Sequence, residues 1–143
     1  MPLLNIKISA PASQATTQQV ASLLTDLTHQ HLKKRRELTA IQVEYVPAHE
    51  WFIGGESLAA TQRHSFSLNI KVTEGTNSKD EKSNYVAAVF AAIQSILGEL
   101  APASYVVIQE VRADSWGYAG RTQEFRYING LQNPQPTSTA HGL

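Results

Sequence analysis

Apolar and polar positions alternate over residues 3–9, the period of a strand with one buried face. Beyond the turn Pro11-Ala12-Ser13 the period changes. Val20, Leu24 and Leu27, joined by Leu23, recur at helical spacing to about Lys34, and Thr16-Thr17-Gln18-Gln19 carries a capping-box pattern at the start. Leu38 to Val46 is rich in β-branched and aromatic residues and reads as a second strand. Pro47-Ala48-His49-Glu50 is a loop, and Gly54-Gly55 a hairpin turn. The order then repeats. Phe66 to Thr73 is a strand, and Ser78-Lys79-Asp80-Glu81 is a stronger capping box, with acids placed against the helix dipole. Val86, Phe90, Ile93 and Leu97 form one helical face ending near Gly98. Tyr105 to Val111 is a strand, and Glu124 to Ile128 reads as a further short one.

The residues repeat along with the elements. Leu4-Asn5-Ile6-Lys7-Ile8 returns as Leu68-Asn69-Ile70-Lys71-Val72, and Val46 to Gly55 returns as Val111 to Gly120, with Trp51 on Trp116 and Gly55 on Gly120. The chain therefore reads as two fused βαβ units, 2–64 and 65–128, in one α+β domain spanning 1–131. Together they predict a four-stranded mixed sheet with two helices on one face, each crossover being right-handed and parallel. Ile6 and Ile8 share a face, and Tyr105, Val107 and Gln109 alternate on their strand. A bare, partly apolar sheet face predicts subunit packing. From Gln132 on, Pro, Ser, Thr and Gly predict a flexible tail over 132–143.

Composition excludes several classes. Lys+Arg and Asp+Glu are equal at 12 each, so no long-range field argues for nucleic acid or an acidic membrane surface. With no cysteine there are no disulfides or thiolate metal sites. No apolar run reaches a membrane span, no signal peptide is recognisable, and a cytoplasmic location is the default expectation. His29 and His31 lie two apart on a helix and point to different faces; His49 and His64 lie in loops. Neither a metal site nor a cofactor motif is read.

Pro2 breaks the repeat. The second unit has Phe66 in its place, so only the first can offer a secondary amine at a strand start, once Met1 is removed. Pro2, the two βαβ units and the turn Trp51-Phe52-Ile53-Gly54-Gly55 together resemble the tautomerase superfamily over roughly residues 2–128. The resemblance implies a homotrimer of fused, 4-oxalocrotonate tautomerase-like subunits and a cofactor-independent keto–enol tautomerase acting on a small unsaturated 2-oxo or 2-hydroxy carboxylic acid. Pro2 is then the catalytic amine. A general base works best with a pKa near the ambient pH, and burial and nearby cations lower an amine toward it.

The family's loop arginines are missing: the matching loops are Ser9-Ala10-Pro11-Ala12 and Thr73-Glu74-Gly75-Thr76. Haloacrylate dehalogenation is discounted for the same kind of reason, since its helix histidine falls on Thr28. The replacement cations are Arg36, in the cluster Lys33-Lys34-Arg35-Arg36 where the migration-inhibitory-factor type has a lysine beside its proline, and Arg112 and Arg121, which flank Trp116. The bland readings are dipole compensation for the cluster and solvated surface charge for the other two. Trp51 and Trp116 fall on the family's active-site aromatic, although core or interface packing is the commoner role. Two alternatives stay open: protonated Pro2 acting as an acid in hydration or decarboxylation, and an inactive homologue serving in binding or assembly.

Overall fold

The structure is a computed structural model and describes residues 1–132. The tail expected over 132–143 falls outside these, except that Gln132 ends the last helix. In the first unit, β1 (Leu3–Ile8), α1 (Gln14–Leu32) and β2 (Ala40–Tyr45) are followed by a hairpin of β3 (Phe52–Ile53) and β4 (Glu56–Ser57), then a single turn of helix, α2 (Leu58–Thr61). The second unit repeats this as β5 (Phe66–Thr73), α3 (Lys79–Leu97), β6 (Tyr105–Val111), the hairpin β7 (Gly117–Tyr118) and β8 (Arg121–Thr122), and α4 (Gln123–Gln132).

The sheet order is β2-β1-β5-β6. Each unit's own pair is parallel, and the units join antiparallel through β1 and β5, Ile6 facing Leu68. Leu4, Ile6 and Ile8 of β1 and Leu68, Ile70 and Val72 of β5 are fully buried under the two helices. Val20, Leu24 and Leu32 of α1 and Tyr85, Val89 and Ile93 of α3 pack onto them. This is the predicted α+β architecture, two βαβ units under one helix layer.

Three local readings are corrected. Helix α1 starts earlier than the capping pattern implies, because Ser13 is the N-cap and its Oγ accepts the Thr16 N–H at 3.2 Å. The buried face of α3 is turned from Val86-Phe90-Ile93-Leu97 to Tyr85-Val89-Ile93, leaving Val86 39% exposed. A polar pair sets that rotation: the hydroxyls of Tyr85 and Thr28 meet at 2.9 Å between the helices, which a count of apolar positions cannot register. Glu124 to Ile128 lies in a helix rather than a strand. Thr122 Oγ1 accepts the Phe125 N–H at 3.0 Å and Glu124 sits in the first turn, so cap and dipole decide a segment whose apolar pattern fits either form.

The open sheet face also differs from expectation. Ile6 and Ile8 do share a face, but it is the covered one. The open face carries Leu3, Asn5 and Lys7 beside Ser67, Asn69 and Lys71, with Asn69 Nδ2 donating to Gln109 Oε1 at 3.2 Å. Its exposed large apolar groups are Tyr105 and Val107 on the edge strand, 63% and 47% exposed.

Candidate active site

Pro2 is buried at the head of β1, and its carbonyl accepts the Ala40 N–H at 3.2 Å. Parallel and antiparallel pairing together make this the end of the sheet where β1 and β2 begin and β5 and β6 finish. Pro2 is therefore flanked by the turn that leaves α1 and by the loop that follows β5.

The turn supplies a lysine. Helix α1 stops at Leu32, and Lys33 takes the left-handed conformation at φ 61°, donating its N–H to the His29 carbonyl at 3.1 Å. That bend sends Lys34 inward. Lys34 is 2% exposed, and its carbonyl lies 2.9 Å from His29 Nδ1. Its ammonium donates to Thr76 Oγ1 at 2.9 Å, and the Thr76 hydroxyl donates to the Thr73 carbonyl at 2.7 Å. Asn77 Nδ2 donates to the Leu32 carbonyl at 2.9 Å, tying the end of α1 to the same loop. The loop that lacks an arginine is thus the one into which Lys34 reaches.

Burial and charge then act on amines placed here. The Met1 amine is lowered from 8.0 to about 4, first by burial and then by the positive charges of Lys34 and Arg35. Lys34 itself is lowered to about 8 by burial, against the opposing pull of Glu81. The Glu81 carboxylate is held below its usual range by the Ser78 N–H, which donates to it at 2.8 Å, and by Asn77. The Met1 amine is therefore uncharged at neutral pH and keeps its lone pair, while the neighbouring lysine keeps most of its charge.

The other candidates are distributed unevenly. Arg36 is held in an ion pair with Asp26 on α1, and both side chains are half exposed. Arg112, Trp116 and Arg121 follow β6, which ends beside Thr73, so they leave the sheet at the Pro2 end, with β5 between β6 and β1. Arg112 is engaged by Asp114 at 3.3 Å, and the Arg121 guanidinium stands 5.0 Å over the Phe125 ring. Trp116 is half-buried, with its indole N–H unpartnered. Trp51 is half-buried in the loop beyond β2, at the opposite end of the sheet from Pro2 in the same chain. Lys34, Arg35, Thr73 and Thr76 are the residues that sequence reasoning left unassigned. The signal for Lys34 was the end of the apolar period at Leu32, two residues before the end assumed for the helix.

Comparison with known proteins bears on the fold. A family model described as "Tautomerase enzyme" matches residues 67–126. The native fused 4-OT crystal structure is 21% identical, with a TM-score of 0.76 over 86% of this chain and 97% of the other. Pt0534 inactivated by 2-oxo-3-pentynoate is 13% identical, with a TM-score of 0.76 over 87% and 98%. A macrophage migration inhibitory factor-like protein from Entamoeba histolytica is 19% identical, with a TM-score of 0.71 over 85% and 97%. No curated protein matches. The family match covers the second unit, and over the whole chain the fold is that of the fused 4-OT structures. No helix among the described residues is long and apolar enough to cross a membrane.

Proposed function

We propose that the chain is a cofactor-independent keto–enol tautomerase for a small unsaturated 2-oxo or 2-hydroxy carboxylic acid, with Pro2, freed of Met1, as general base. The observation that carries this reading is the buried chain start, where an amine loses its charge beside a buried lysine that keeps most of its own. The ammonium of Lys34 holds the substrate carboxylate, with Arg35 adding to the positive field. The Pro2 nitrogen takes the proton of the 2-hydroxyl group as the C2 carbonyl forms, and the same proton returns to a carbon of the conjugated chain. The product is the 2-oxo acid, and Pro2 is again neutral. Transfer through one positioned amine contributes about 10²- to 10⁴-fold.

Structural neighbours include fused 4-OT solved as a symmetric trimer. The same assembly suits this chain. Tyr105 and Val107 on the open face, Phe52 on the first hairpin and Phe125 and Ile128 on α4 are large apolar groups left about half exposed or more. A neighbour's hairpin can then bring Trp51 to a Pro2 that its own chain cannot reach, while Trp116 with Arg112 or Arg121 closes the site from β6.

The reading with protonated Pro2 as an acid requires an amine charged at neutral pH, against the direction in which this site drives it. The binding-protein reading drew its support from the missing loop arginines, and Lys34 supplies a cation to that loop. Ketonisation of phenylenolpyruvate and of 2-hydroxymuconate, followed with purified protein lacking Met1, is the direct test.

A further inference from the structure

The internal repeat gives one end of the sheet as a template for the other. In the antiparallel β1–β5 register, Ile8 faces Phe66 and Leu3 faces Lys71. One step past the first pair, Ser9 faces Ser65. Their backbones bond at 3.1 Å, and Ser9 Oγ accepts the Ser65 N–H at 2.8 Å. Carried two steps past the second pair, the same register sets Thr73 opposite Met1. By the repeat, Thr73 stands where Ser9 stands and Met1 where Ser65 stands. Thr73 is 4% exposed, yet its hydroxyl has no partner, whereas Ser9, buried to the same degree, has one. An orphaned buried hydroxyl costs stability and calls for an explanation. Threonine at this place is a hydrogen-bonding group held ready at the chain start.

We propose that Thr73 is a substrate-contacting residue of the Pro2 site. Once Met1 is removed, its hydroxyl donates to an oxygen of the 2-oxo or 2-hydroxy acid bound in the space that residue 1 occupies. The inference rests on the tautomerase reading and extends it. At the mirrored end the same space is filled by the peptide of Ser65, whose nitrogen is an amide and no base, so the second unit offers no equivalent site. Lys34 approaches the same loop through Thr76, whose hydroxyl is bonded to the Thr73 carbonyl. The lysine and the threonine hydroxyl would thus hold two different oxygens of one ligand.

Thr73→Val keeps the shape and removes the hydroxyl; Thr73→Ser keeps the hydroxyl. A hydroxyl that serves only structure predicts that the valine variant melts higher, since a buried orphan is gone, with kinetics unchanged. The proposal expects the same or higher melting temperature together with a loss of about 10-fold or more in kcat/KM, the range for a hydrogen bond to a charged or partly charged oxygen. Thr73→Ser should stay within about 3-fold of the parent. Full activity in Thr73→Val, or an equal loss in Thr73→Ser, overturns it. Should Thr73→Val fail to fold, Thr73→Ala is read by the same criteria. Should the parent turn over neither enol while Pro2 is free, the tautomerase reading fails, and Thr73 is judged by titrating phenylpyruvate and following backbone amide shifts. Binding weakened about 5-fold or more in Thr73→Val upholds the contact, and unchanged or absent binding in the parent and variant alike overturns it.

Discussion

The ammonium of Lys34 and the hydroxyl of Thr76, 42 residues apart in the chain and in different units of the repeat, meet at 2.9 Å beside the N-terminus. One unit supplies the cation and the other the loop that orients it.

Replacing Lys34 should separate function from stability. A buried, desolvated ammonium facing a carboxylate is a strong partner, and Lys34→Met is expected to raise KM and lower kcat/KM by about 2–4 kcal/mol of binding. The same change removes a buried charge. The folded-state pKa, about 8, lies below the usual lysine value, so folding disfavours the protonated form below about pH 8 and the penalty fades as pH rises toward 10.5. Lys34→Met should therefore be more stable than the parent at pH 7, by a margin that shrinks toward pH 10. Urea melts at the two pH values check this.

Activity should be bell-shaped in pH. With Pro2 as the base, the acid limb is assigned to its amine, and the burial and cations that lower Met1 at this chain start are expected to act on it in the same direction. The alkaline limb belongs to Lys34, near pH 8, as the carboxylate loses its charged partner. Lys34→Arg, always protonated, should extend activity past pH 9 if it accommodates the substrate, and kcat/KM profiles of both proteins decide the assignment.

Tyr85→Phe strands the Thr28 hydroxyl in the core between α1 and α3. The expected cost is about 1–2 kcal/mol, with much of it recovered in the double variant Tyr85→Phe, Thr28→Val, where neither polar group remains. A denaturant double-mutant cycle measures the coupling.

Ala119 occupies a left-handed turn position at φ 51° in the second hairpin, where the first hairpin has Gly54. Ala119→Gly should relieve about 1 kcal/mol of strain, less the entropy glycine adds to the unfolded chain, for a gain of roughly 0.5 kcal/mol. Gly117 is the opposite case, since a Cβ there would overlap the Arg121 carbonyl oxygen. Gly117→Ala should lower the melting temperature while Ala119→Gly raises it.

The repeat made the fold legible, because two short sequences recur at offsets of 64 and 65 residues and mark out the same order of strand, helix and turn. The β5 and β6 boundaries are those the pattern predicts, Phe66–Thr73 and Tyr105–Val111. Local chemistry that outranks periodicity was less legible. Ser13 caps ahead of the threonines, Tyr85 turns a helix by a hydroxyl contact, and Thr122 starts a helix in a strand-like segment. At the site, Pro2 stood out as the residue that breaks the repeat. The preference for Arg36 over Lys34 turned on where α1 ends, and the left-handed Lys33 moves that end by two residues, sending the lysine inward and Arg36 out to Asp26. Thr73 could not be singled out in sequence, since its mark is a missing partner.

On the proposed function, the amine of Pro2 performs the proton transfer. The measurement that meets it most directly is kcat/KM for ketonisation of phenylenolpyruvate at pH 7 by protein shown by intact mass to begin at Pro2, compared with Pro2→Ala treated identically. The alanine variant should fold normally and lose about 10²-fold or more. Undiminished turnover in Pro2→Ala would contradict it.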